Sequence, residues 1–62
     1  MSAEENQVIK AMLKYGGSFM QALARAAQVA DQKNLLKIRL AWPQEWAKYE
    51  MFAEDERKAA KI

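Results

Sequence analysis

Sixty-two residues with no cysteine and no histidine exclude a disulfide-stapled scaffold, a metal centre held by thiolate or imidazole, and catalysis through either side chain. At 52% hydrophobic and 10% aromatic residues the chain is too apolar for a disordered segment. A single domain of this length buries only about 60% of its unfolded surface, so its core is marginal and self-association is the support left to it; the net charge of +2, spread along the chain, allows a nucleic-acid partner without favouring one.

The first element runs from about Ala3 to Lys14. Ser2 and Glu5 make an S-x-x-E capping box at its start. Val8, Met12 and Tyr15 fall on one face with Ile9 and Leu13 beside them, while Asn6, Gln7, Lys10 and Lys14 hold the other. Gly16 and Gly17 then close the helix, an ending in which a glycine takes the left-handed conformation.

A second helix opens at Ser18, which with Gln21 forms an S-x-x-Q capping box. Phe19, Leu23, Ala26 and Ala30 mark one face, with Met20, Ala24 and Ala27 next to it. The alanines leave a thin helix wall, so the tightest helix contact is expected here.

Asp31 caps a third helix over about Gln32–Ala41. Its apolar residues split into two groups, Leu35, Ile38 and Trp42 on one side and Leu36 and Leu40 on another, with Arg39 between them. Such a composition predicts the most buried helix of the four. Arg39 is therefore expected to snorkel, to pair with an acid such as Glu45 or Glu50, or to face a partner chain.

Pro43 suits the first turn of a fourth helix and pushes Trp42 out of the helical region. Glu45 then stands where it reaches the cap N–H, and Trp46, Tyr49 and Ala53 line the inward face. The two tryptophans flanking Pro43 read as a structural clamp in which the rings fix the angle between the third and fourth helices. Met51 points away from that face and Phe52 sits at its edge, so Arg39, Met51 and Phe52 are the candidate interface residues. Residues 54–62, charged and almost without large apolar groups, read as a solvated, fraying helix end.

No phosphate loop or catalytic constellation occurs, and neither cofactor nor metal is expected. Glu54, Asp55 and Glu56 are consecutive helix positions that point 100° apart and cannot converge on one ion. The second and third helices can also be read as a helix-turn-helix offering Gln32, Lys33, Lys37 and Arg39 to DNA. Arg39 lies about 160° round the helix from Lys37, inside the apolar arc, which leaves two basic groups for the groove.

The stretches YGGSFMQALARAAQVAD and NLLKIRLAWPQEWAKYE resemble small all-helical accessory proteins of temperate bacteriophages and prophages of enteric bacteria. In these a helix-YGGSF-helix segment precedes a helix ending in an aromatic-Pro-x-x-Trp turn. The likeness spans about residues 8 to 50. It implies a cytoplasmic protein of the bacterial host, often dimeric, that binds a host or phage protein, and it carries over no functional residue.

The sequence therefore predicts a single all-α domain, a compact bundle of about four short helices that dimerises, with Leu23, Leu35, Ile38, Trp42, Trp46 and Tyr49 central to the core. Its expected function is non-enzymatic protein–protein binding, with itself and with a host or phage protein. The alternatives are a small helix-turn-helix DNA-binding regulator and a minor virion or assembly component. No membrane association is expected, because the polar start MSAEENQ is unlike a signal peptide and no apolar run reaches the length of a span.

Overall fold

The computed structural model describes the backbone of residues 2–60 and the side chains of residues 2–59. Four helices follow one another with short joints: α1 (Ala3–Tyr15), α2 (Ser18–Gln28), α3 (Gln32–Ala41) and α4 (Pro43–Ala60). Each helix packs against its neighbours in the chain, and α4 returns to α1, so the four close a ring of 36 × 24 × 18 Å. The contacts of α1 with α2 and α4 are the extensive ones, and those of α3 are lighter.

The core is built around α1. Val8, Ile9, Ala11 and Met12 are buried there, against Ala24 and Ala27 of α2, Leu35 of α3, and Trp46, Tyr49 and Ala53 of α4. This corrects the expected centre of the molecule. Leu35, Trp46 and Tyr49 are core residues, but Leu23, Ile38 and Trp42 are only partly buried, and α3 carries a single buried side chain. In a ring of four helices each element has one stripe to bury, so the second apolar group of α3, Leu36 and Leu40, is left facing out.

On α2 the thin wall is real, with Ala24 and Ala27 fully enclosed. The inward face is nevertheless rotated from the one expected, because Ala26 and Phe19 lie outside. Alanine places only a methyl group between two helix backbones, so α1 can approach closely over Ala24 and Ala27.

The ends follow the sequence at α1 and α3. Ser2 accepts the Glu5 backbone N–H at 3.1 Å and the Glu5 carboxylate accepts the Ser2 N–H at 2.9 Å, completing the capping box. Asp31 accepts the Asn34 N–H at 2.8 Å. The start of α2 is different. Gly17, not Ser18, is the N-cap, no side chain caps it, and Ser18 is already helical. Gln21 instead donates from Nε2 to the Gly16 carbonyl at 3.0 Å.

Neither glycine is left-handed; Gly16 has φ −79° and ψ 156°, ordinary extended backbone. What demands glycine at position 16 is space. A Cβ there would stand 2.5 Å from the Met12 carbonyl oxygen, 2.6 Å from Met20 Cβ and 3.4 Å from the Tyr49 hydroxyl, while at position 17 it would meet nothing within 4 Å. The chain turns from α1 to α2 in the angle between Met12, Met20 and Tyr49.

At the other corner, the Trp42 N–H closes α3 on the Ile38 carbonyl at 3.0 Å, and the Trp42 carbonyl accepts the Trp46 N–H at 3.0 Å to open α4. Because the Trp42 N–H is already bonded, Glu45 has no cap donor to reach. The two indoles also part company. The Trp42 ring meets Phe19 of α2 edge-on at 6.0 Å, whereas Trp46 enters the core, so the joint is held by two separate attachments and not by one ring on the other.

The charged end of the chain is helical to Ala60, with the side chains of residues 54–59 exposed; residues 61 and 62 lie outside the described residues. Glu56 secures it to α1, accepting from Lys14 Nζ at 2.9 Å and from the Tyr15 hydroxyl at 2.5 Å. Tyr15, Phe52 and Tyr49 continue the contact as a row of rings 5.1 and 5.6 Å apart.

The two glycines should therefore respond oppositely. Gly16→Ala is expected to destabilise by about 1–3 kcal/mol through the forced displacement of Met12 and Met20, whereas Gly17→Asp, which adds the missing cap and a negative charge at the helix start, should stabilise by up to about 1 kcal/mol; urea unfolding followed by circular dichroism separates the two.

Candidate protein-binding surface

Of the three candidate interface residues, the structure uses two inside the fold. Phe52 lies partly buried between Tyr15 and Tyr49. Arg39 pairs with Glu5, at 3.2 Å from Nη1 to Oε2, with its guanidinium 5.1 Å from the centre of the Trp46 ring. The acid is thus on α1, and neither Glu45 nor Glu50, both on the neighbouring α4, supplies it. Spacing along the chain could not show this, because Glu5 lies 34 positions away and reaches Arg39 only once α4 has folded back against α1.

Glu5 consequently joins three tasks. One carboxylate oxygen caps α1 and the other holds Arg39, whose guanidinium lies over the Trp46 ring. The bond from the Ser2 backbone is the largest influence and holds the Glu5 carboxyl below its ordinary value; burial pushes the other way, and smaller contributions from the Ser2 side chain and from Arg39 add to the lowering. Glu56 is lowered as well, by the Tyr15 hydroxyl first and then by Lys14, and the same contact raises Lys14.

Met51 alone remains free, 66% exposed on the outer side of α4. Sequence reasoning missed the larger unpartnered surface. Phe19, Val29, Leu36 and Leu40, all on α2, α3 or the joint between them, are more than half exposed, with Val29 at 87% and Leu40 at 71%. The signal was present in the split apolar pattern of α3, but a two-sided apolar helix reads equally as a fully buried one.

On α3 the outward face carries Lys33, Leu36, Lys37 and Leu40, successive at three, one and three positions. Beside Leu36 is an open depression of about 300 Å³ lined by Gln32, Lys33, Leu36, Arg39 and Glu5. Basic, apolar and concave features thus meet on one short helix. Among the described residues no three acids gather where they could hold a metal ion, and Glu56 of the acidic triplet turns to α1.

Such a structure defines an all-α four-helix domain with an uncovered apolar, basic face, and no described helix is long and apolar enough to cross a membrane. No known protein family, curated protein or solved structure matches the chain.

Two measurements test the internal assignments. Trp46→Ala should cost about 3–5 kcal/mol in denaturant unfolding because it empties the α1–α4 core, while Arg39→Met, which removes a half-exposed pair but keeps an apolar cover on Trp46, should cost no more than about 1 kcal/mol. Since the carboxyls of Glu5 and Glu56 are held below the ordinary glutamate value, their contribution is complete above that value and is lost as the pH falls through their lowered folded values. Thermal unfolding across acid pH should show this decline, and Glu5→Gln with Glu56→Gln should flatten it.

Proposed function

We propose that this protein is a non-enzymatic accessory protein of the phage type, working in the cytoplasm of a bacterial host by binding another protein and by pairing with itself. One observation carries the reading: five large apolar side chains, Phe19, Val29, Leu36, Leu40 and Met51, stand more than half exposed on a domain with a core this small. A monomer gains nothing from leaving them in water, and protein partners are what commonly cover such surfaces.

Self-pairing is assigned to the outer face of α4. Two copies of this helix laid antiparallel about Met51 bring Lys48, three positions before it, opposite Glu54, three positions after it, and the pairing occurs twice by symmetry. Met51 then packs on its own copy. Lys48 and Glu54 are both exposed in the single chain and available for this.

A DNA-binding role is disfavoured by the occupancy of the would-be recognition helix. Its outward face offers leucines beside Lys33 and Lys37, and Arg39 is engaged by Glu5, whereas base readout relies on polar and arginine contacts in the groove. A minor virion or assembly component is a special case of the same protein-binding reading.

Sedimentation equilibrium at micromolar concentration should show a dimer, and Met51→Glu, which places a carboxylate against its symmetry mate, should return the monomer with unchanged helical circular dichroism. A strict monomer in the parent protein would remove the self-pairing.

A further inference from the structure

The charges of this chain are segregated by helix pair. Between Gly16 and Trp42 there are four cations, Arg25, Lys33, Lys37 and Arg39, against the single acid Asp31, for a net charge of +3, while the remainder of the chain is net −1. The exposed apolar residues concentrate in the same segment, which holds Phe19, Val29, Leu36 and Leu40. The two properties meet most closely on α3, where Leu36 and Leu40 form a ridge one turn long, Lys33 and Lys37 run beside it, and the depression lined by Gln32, Lys33, Leu36, Arg39 and Glu5 opens at its flank.

From this we propose that the outer face of α3 is the docking site for a partner protein that presents an acidic amphipathic helix. Its apolar side chains cover Leu36 and Leu40 and enter the depression, and its carboxylates meet Lys33 and Lys37. The proposal rests on the protein-binding reading above and names the chemistry of the partner.

Charge decides among the occupants. A second copy apposing its own α3 sets Lys33 and Lys37 against the same lysines, a repulsion that opposes two-fold pairing on this face. Nucleic acid receives two lysines and, beside them, leucines. A membrane surface is met by a ridge of two leucines on a ten-residue helix, far less than the long apolar face with which interfacial helices bind lipid. An acidic helix satisfies both the leucines and the lysines, in the helix-against-apolar-surface mode of peptide recognition.

The probe is a synthetic helical peptide with leucines along one face and glutamates on either side, compared with the same peptide carrying lysines in place of the glutamates. Titrated into the isotopically labelled full chain, the glutamate peptide should shift the amide resonances of α3, and fluorescence anisotropy should show it binding at least about tenfold tighter than the lysine peptide, a preference within reach of two exposed ion pairs turned from attraction to repulsion. Lys33→Glu with Lys37→Glu should reverse the preference, and Leu36→Ser with Leu40→Ser should abolish binding of both peptides. All four side chains are exposed, so the variants are expected to keep their helical circular dichroism. Met51→Glu should bind the glutamate peptide normally, which separates loss of self-pairing from loss of this site. The proposal is overturned if neither peptide binds, if both bind equally, or if the shifts fall outside α3. It is overturned equally if Leu40→Glu dissociates a dimer of the parent, or if phosphatidylserine vesicles or duplex DNA bind this face more tightly than the glutamate peptide.

Discussion

The fold is arranged around the burial of Ile9 and Met12 on α1, which lies between the alanine face of α2 and the aromatic face of α4. A chain of this length has little apolar surface to remove from water, and the way to remove it efficiently is to make one helix serve two neighbours. Ala24 and Ala27 make that feasible on one side by letting α2 come close. Trp46, Tyr49 and Ala53 make it feasible on the other, where two large rings of α4 are buried against α1. Gly16 follows from the same constraint, since the chain must leave α1 through a space already occupied by Met12, Met20 and Tyr49.

With α1 in the middle, α3 becomes the outer helix, and the surface available for function is decided by that. Leu35 anchors α3 to the core, Arg39 reaches Glu5, and the corner at Trp42 rests on Phe19. These attachments use one side of the helix. The other side keeps Leu36 and Leu40, which no described helix covers. An apolar face that the ring of four helices leaves open is the feature on which the proposed binding role rests.

The Glu5, Arg39 and Trp46 arrangement shows how a small domain combines duties in few residues. A carboxylate that caps α1 also holds the arginine that shields an indole of α4, so helix capping, an interhelical ion pair and core cover are joined at one point. The pair is weak by itself, being partly in water. Its value lies in placing Arg39 over the Trp46 ring at the edge of the core.

Local chemistry was legible in the sequence because it depends on neighbours a few positions apart. The capping box of Ser2 and Glu5, the cap at Asp31, the helix start at Pro43 and the inward row of Trp46, Tyr49 and Ala53 are all matters of spacing along one helix. The sequence also marked α3 as apolar on two sides. It put Leu35, Ile38 and Trp42 inward, and of these Leu35 is buried and the other two partly so; it could not say that the Leu36 and Leu40 side would be left uncovered, since helical periodicity describes a helix and not its neighbours. Only the closing of the ring decided that α1 is the central helix, that Glu5 rather than a nearer acid meets Arg39, and that Glu56 secures the end of α4. Those contacts join residues 34 to 42 positions apart. They exist because packing brings distant segments together, and no pattern along the chain records which segments those will be.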